Sequence, residues 1–304
     1  MKRNAMIRII IWSVCLFLLI SILAGTLILR SVRTRHAYRQ IEATYSPEVY
    51  YDNLPPDSVP AQDADTFALD ATKVHSLEIE WVSGHIRIQP TETDEILISE
   101  SAVSNPKDAM VWKLKDGQLS IDFCEDEDRF ISFGNRSNFQ KDLTIYVPVN
   151  WECRSLEIDA AAASVEVEEL TIRAVEFDGA SGICEFRDCH VERMDIDTAS
   201  GDIRFSGQLG SLDCDAASAD IYAVLVNIPT LIDVDTMSGD LDITLPENAG
   251  FSLRMDTMSD TFSSEFDDLT VRSNEYIRGD GACRINVSAM SGDVMIRKGS
   301  SPAK

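Results

Sequence analysis

One serine-centred corner recurs along this chain of 304 residues, and it constrains the fold more than any other feature. The corner dipeptides are Ser83-Gly84, Ser164-Val165, Ser181-Gly182, Ser200-Gly201, Ser218-Ala219, Ser238-Gly239, Ser259-Asp260 and Ser291-Gly292. From Ser164 to Ser259 the steps are 17, 19, 18, 20 and 21 residues, and the next, to Ser291, is 32. Six and four residues before the serine stand apolar pairs such as Ile158/Ala160, Met194/Ile196 and Ile232/Val234. Three and five residues after it stand Ile203/Phe205, Leu241/Ile243 and Val294/Ile296. Apolar residues two apart mark a strand with one buried face; a helix would repeat at three and four. A meander of hairpins would also alternate, but it would not return similar residues to equal positions. Units of this length bury their apolar faces by stacking, each as one coil of a parallel β-solenoid.

The expected fold is therefore all-β. A β-helix-like parallel solenoid spans 153–298, preceded by a short leading sheet within 69–152 and followed by a tail, 299–304. The corner frame also fits the leading region, where Leu77/Ile79 and Ile86/Ile88 flank Ser83-Gly84. Three triplets, Ser200-Gly201-Asp202, Ser238-Gly239-Asp240 and Ser291-Gly292-Asp293, are expected to build the turns. Glycine supplies a positive φ, and the carboxylate caps turn amides. The 125–138 segment reads as a loop and the insertion near 263–281 as a projection or cap. Arg297 and Lys298 are expected to keep the last coil from pairing end to end.

These units resemble the "putative adhesin" family of bacterial β-strand-repeat proteins, a domain of unknown function that includes LiaG-like membrane proteins of Gram-positive bacteria. The residues that carry the resemblance are TASGDI (198–203), TMSGDL (236–241) and AMSGDV (289–294), with degenerate copies AASADI (216–221) and TMSDTF (257–262). IYVPV (145–149) resembles the family's lead-in strand. The resemblance covers about 70–298 and the anchor described next. It implies a surface-exposed, solenoid-like domain without established enzymatic activity, and an envelope-sensing role as a second implication. It carries over no catalytic or ligand residue, because the shared motif is a fold motif.

Residues 9–29 form a run of 21 without a charge, long enough as a helix to cross a hydrocarbon core of about 30 Å. A cleaved signal peptide has a shorter apolar run ending at a small-residue site. Here Thr26, Leu27, Ile28 and Leu29 extend the run past Ala24-Gly25. The expectation is a single-pass anchor with a basic flank (1–8) and an extended linker (30–68) containing Pro47, Pro55, Pro56 and Pro60. Lys2, Arg3 and Arg8 on one side against Arg30, Arg33, Arg35 and Arg39 on the other leave the positive-inside rule undecided. Export of the C-terminal domain from the cell membrane is the simplest topology, and a cytosol-facing regulatory scaffold is the alternative.

The chain carries 27 Lys and Arg against 51 Asp and Glu, a formal charge of −24. Seven of the basic residues and none of the acidic ones fall in 1–39, so the remainder is more acidic still. Such a field excludes nucleic acid as a partner. Three residues before the serine stand Asp178, Asp197, Asp215, Asp235 and Asp256, expected on successive coils. Five before it stand Asp159, Glu176, Asp195, Asp213 and Asp233. Both rows face outward from one sheet, on coils about 4.8 Å apart. At that distance each like-charge neighbour costs about 0.9 kcal/mol even in water. Three occupants fit: solvent over a face that only keeps the sheet soluble, Ca²⁺, or a protein, glycan or cationic envelope polymer.

No cofactor is implied, and no catalytic residue emerges. G-x-S-x-G, P-loop and H-E-x-x-H motifs are missing, and His36, His75, His85 and His190 are scattered. A carbohydrate-active enzyme on a β-helix would need two carboxylates set apart by environment. The acidic ladder is uniform, and Phe177, Phe186 and Phe205 fall on inward positions. Cys184, Cys214 and Cys283 also fall inward, while Cys153 and Cys189 are expected to share one register two coils apart. Cys184 and Cys189 lack the spacing of a zinc site.

Overall fold

A computed structural model describes residues 66–101, 108–124, 140–257, 261–272 and 275–299. The predicted transmembrane helix, its basic flank, the linker up to residue 65, the 125–138 loop, Ser259-Asp260 and the tail beyond residue 299 lie outside the described residues. The chain divides into units spanning 1–60 and 61–304, and the second contains everything described below. Among the described residues no helix is long and apolar enough to cross a membrane.

The architecture is all-β. The first strands are β1 (Thr66–Asp70), β2 (Ser76–Thr91), β3 (Glu95–Glu100), β4 (Val111–Lys115), β5 (Gln118–Asp122) and β6 (Leu143–Pro148). The middle contains β7 (Glu152–Glu168), β8 (Thr171–Gly179), β9 (Cys184–Ser200), β10 (Ile203–Ser218), β11 (Ile221–Leu225), β12 (Leu231–Ser238) and β13 (Leu241–Leu245). The last strands are β14 (Phe251–Thr257), β15 (Phe262–Ser264), β16 (Thr270–Arg272), β17 (Glu275–Arg278), β18 (Cys283–Ser291) and β19 (Val294–Lys298).

Parallel pairing stacks these strands into two faces. The segments before the corner follow the order β5, β2, β7, β8, β9, β10, β12, β18, β14. The segments after it follow the order β6, β2, β7, β9, β10, β11, β13, β19, β15. Long strands such as β2, β7, β9 and β10 bend through a corner and serve both faces. In-register pairing turns the period-two alternation into continuous apolar columns. One column is Ile79, Ile158, Phe177, Ile196, Cys214, Val234 and Val287, all buried. Facing it run Ile86, Val165, Cys184, Ile203, Ile221, Leu241 and Val294, also buried. On three successive coils the chain turns again at a second corner, where Glu169, Asp188 and Gly207 take positive φ.

The structure corrects the expected register in two places. Ile86 pairs with Val165 and Val165 with Cys184, so the corner of β7 is Ala162-Ala163, opposite Ser83-Gly84, and not Ser164-Val165. A slip of two residues preserves the alternation, so periodicity alone cannot detect it. Cys153 accordingly pairs with Ile172, whose own partner is Val191, and does not share a row with Cys189. The second correction concerns order. β18 and β19 insert between β12/β13 and β14/β15, so the last strands in sequence are interior rather than terminal. Arg297 and Lys298 therefore guard no free end. Arg297 forms a bidentate pair with Asp242 at 2.7 Å, and Lys298 Nζ lies 2.7 Å from Glu247.

The opening strands are placed likewise. β2 lies inside, with β5 and β6 stacked outside it. Antiparallel strands finish both ends: β4 on β5 and β3 with β1 on β6 at one, β17 with β16 on β14 at the other. The 263–281 insertion is thus a cap. At the opening end a buried ion pair fastens the coil. Lys141, 1% exposed, places Nζ 2.7 Å from Glu100, which is 4% exposed. The same ammonium donates to the carbonyls of Asp108 and Phe123 and lies over the rings of Trp81 and Phe123. Both Glu100 oxygens accept from the Met110 amide. Burial pulls the Lys141 pKa down, and the Glu100 charge opposes that shift. Breaking such a pair strands a charge in the core, so it fixes where these segments meet.

Candidate functional site

The residues of the Ser-Gly-Asp units each have a structural task. Thr198 Oγ1 donates to the Ser200 carbonyl (3.2 Å) and Thr236 Oγ1 to the Ser238 carbonyl (3.0 Å), closing the corner two residues on. Ser200 Oγ donates to the Ala180 carbonyl (3.2 Å) on the preceding coil. Gly201 has φ +128°, and a Cβ there would lie 1.9 Å from the Gly182 carbonyl oxygen. Gly239 and Gly292 meet the same two restrictions. The aspartate caps turn amides, and the amides are those of the adjacent coil. Asp220 Oδ1 accepts from the Asp240 amide (2.9 Å), Asp240 Oδ1 from the Asp293 amide (2.8 Å), and Asp293 Oδ1 from the Thr261 amide (3.2 Å). Asp142 does the same for His85, bonding its amide and ring nitrogen (both 3.0 Å). Asp202 pairs with Arg204 at 2.8 Å. The motif carries no free chemistry.

The face before the corner is where acidic side chains gather. Glu80, Asp159, Asp178, Asp197, Asp215 and Asp235 stand on consecutive rungs. Beside them run Glu78, Glu157, Glu176, Asp195, Asp213 and Asp233. The corrected register moves Asp159 from the second row into the first and puts Glu157 in its place. Asp256 is not adjacent to Asp235: Ser288 stands between them, because β18 is inserted there. In the second row Asn286 follows Asp233 and Arg254 follows Asn286, so the acidic field ends at β12. Local burial raises the carboxyl pKa of Asp197, Asp213 and Asp215 above the ordinary 3.8. Neighbouring carboxylates add to the shift: Asp178 and Asp195 on Asp197, Asp195 and Asp233 on Asp213, Asp197 and Asp235 on Asp215. The rows extend rather than converge. Among the described residues no group of three His, Cys, Asp or Glu side chains is placed to hold a metal ion.

The opposite face differs in kind. Several of its outward charges are paired: Arg87 with Glu166 (3.3 Å), Arg187 with both Glu166 and Glu168, and Arg297 with Asp242. The thiols of Cys153, Cys184, Cys189, Cys214 and Cys283 are buried. Burial pushes their pKa values up, to about 11 for Cys189 and about 12 for Cys153, Cys214 and Cys283, so they remain protonated and inert.

A family model described as Toastrack DUF4097 matches residues 74–297. The chain belongs to the Toastrack family. Several solved structures are similar to it. A "putative cell adhesion protein" from Clostridium sporogenes shares 12% identity at a TM-score of 0.37, over 78% of this Toastrack chain and 100% of its own. A "putative adhesin" from Bacteroides fragilis shares 12% at 0.39, over 79% and 98%. A "putative lipid binding protein" from Parabacteroides distasonis shares 14% at 0.28, over 78% and 97%. No protein among those with curated descriptions matches.

Proposed function

We propose that this Toastrack chain is a membrane-anchored, non-catalytic binding module, displayed outside the cell, whose acidic face holds a cationic envelope ligand, a polymer or a peptide. The observation that carries the reading is the in-register double row from Glu78 and Glu80 to Asp233 and Asp235. Its carboxylates stand at the repeat of the coils, about 4.8 Å one way and about 6.6 Å the other. A ligand with regularly spaced positive charges matches such a lattice; a single hard cation needs oxygens gathered about one point. Burial first and neighbouring carboxylates second raise the pKa values of Asp197, Asp213 and Asp215, and a polycation would offset the second of these causes. The anchor supports the membrane assignment through the sequence of residues 9–29.

Titration of the full chain in detergent with short polylysine tests the reading. Asp197→Asn, Asp213→Asn and Asp215→Asn together should weaken binding by about tenfold and flatten its salt dependence. Equal affinity for the triple variant and the unaltered protein would sink it. Ca²⁺ and Mg²⁺ at matched ionic strength should compete equally. Protease treatment of intact cells reads the topology: degradation of 66–299 supports display, and protection supports the cytosol-facing scaffold.

A further inference from the structure

Where the acidic rows stop, the corner beside them changes as well. β12 and β18 pair in register, Thr236 with Ala289 and Ser238 with Ser291, so Met237 and Met290 hold the same place on adjacent coils. On the two preceding coils that place is held by Ala217 and Ala199. Met237 stands two residues beyond Asp235, and Met290 two beyond Ser288. The two methionines are 36% and 38% exposed, and neither belongs to the core. A thioether usually fills irregular gaps inside a protein. Here two of them stand side by side in solvent.

We propose that Met237 and Met290 together bind a soft monovalent metal ion, Cu(I). Thioether sulfur is a soft ligand that selects Cu(I) and has little affinity for hard cations. Adjacent coils set the two backbones about 4.8 Å apart. A closed-shell monovalent ion accepts two ligands in line, and two metal–sulfur bonds of about 2.3 Å each span nearly that distance. The ion therefore fits between the coils as they stand, and the flexible side chains supply the adjustment. The surroundings supply the charge. Asp235 precedes Met237 by two residues, while Asp240 and Asp293 follow Met237 and Met290 by three. Their field draws cations toward the sulfurs. It does not make a hard-ion site: Asp240 Oδ1 accepts from the Asp293 amide and Asp293 Oδ1 from the Thr261 amide. Among the described residues no three His, Cys, Asp or Glu side chains gather about one point. The preceding coils, with alanine at 199 and 217, offer no ligand.

Titration of the full chain in detergent with silver nitrate, in chloride-free buffer, tests the site; Ag(I) is the air-stable counterpart of Cu(I). The readout is NMR of isotope-labelled methionine methyl groups, with Met237 and Met290 assigned through Met237→Leu and Met290→Leu. The two methyl resonances should move together along one saturation curve. That of Met295, a half-buried methionine on the face after the corner, should stay in place. Each single variant should weaken the response of the remaining methionine by at least about tenfold, because it removes one of two ligands. Leucine matches methionine in volume, so the circular dichroism should not change. The thiols on the described strands are buried and compete little. Cu(I) held reduced by ascorbate without oxygen should reproduce the pattern, and Ca²⁺ should not. A Met295 shift equal to those of the pair would reduce the effect to ordinary thioether exposure and overturn the site. A response of Met290 unchanged by Met237→Leu would overturn it as well. The pair shares no side chain with Asp197, Asp213 and Asp215, so polylysine binding and silver binding succeed or fail separately.

Discussion

At the scale of single residues, glycine in the repeat answers two requirements at once, a positive φ and the carbonyl of the next coil against its Cα. Where the corner has alanine instead, at Ala163 and Ala219, the backbone does not take positive φ. The two residue types therefore build two corner geometries, and exchanging them is not symmetric. Gly201→Ala should cost at least about 2 kcal/mol through backbone strain and the 1.9 Å approach, lowering the melting temperature by on the order of 5 °C. Ala219→Gly should change it by less than a third as much. Similar melting curves for the two variants would show that the corner tolerates either conformation. Legibility at this scale follows the same division. The first corner was readable because Ser-Gly-Asp fixes hydrogen bonds and φ together. The second was not, because its positive-φ positions are Glu169, Asp188 and Gly207, three residue types with no shared signature.

Strands were readable where parity decides them and unreadable where order does. Every apolar column assigned by alternation faces inward, because a two-residue periodicity maps directly onto burial. The slip at Ser164 escaped because a shift of two keeps every side chain on its face; only the partners change. Threading escaped for a related reason. The pattern of β18 equals that of β14, and nothing local says which of them stacks on β12. The long step from Ser259 to Ser291 signalled an insertion, whose hairpin caps β14 and lets the chain return to the interior. A consequence separates this arrangement from a sequential stack. Ending the chain after Ala282 would, in a sequential solenoid, remove one terminal coil and leave the others paired. Here it removes the layer joining β12/β13 to β14/β15, exposing Val234 and Ile243 on one side and Leu253 on the other. The truncated protein should lose its cooperative melt and become protease-sensitive from about residue 231 onward; a cooperative transition with only a modestly lower midpoint would contradict the inserted order.

For the molecule as a whole, pH separates the carboxylates whose pKa values folding raises from those it lowers. Asp197, Asp213 and Asp215 have folded pKa values above the ordinary 3.8, from burial and from each other's neighbours. A carboxyl shifted upward on folding favours the folded state while protonated, and that advantage is lost as pH rises through the raised value. Asp268 and Glu247 behave oppositely: hydrogen bonds from Arg278 and Lys298 hold their pKa values down, so acidification removes what they contribute. Total stability against pH therefore mixes two signs, and the difference between proteins isolates one. The Asp197→Asn, Asp213→Asn, Asp215→Asn variant should melt above the unaltered protein at pH 7. The gap should close as pH falls toward 3.8 and should narrow at high ionic strength, where the rows are screened. A gap that stays constant with pH would mean that the three substitutions act through packing. A closing gap would mean that the acidic face is held at a cost the folded protein carries at neutral pH, which is the condition under which a polycation gains from settling there.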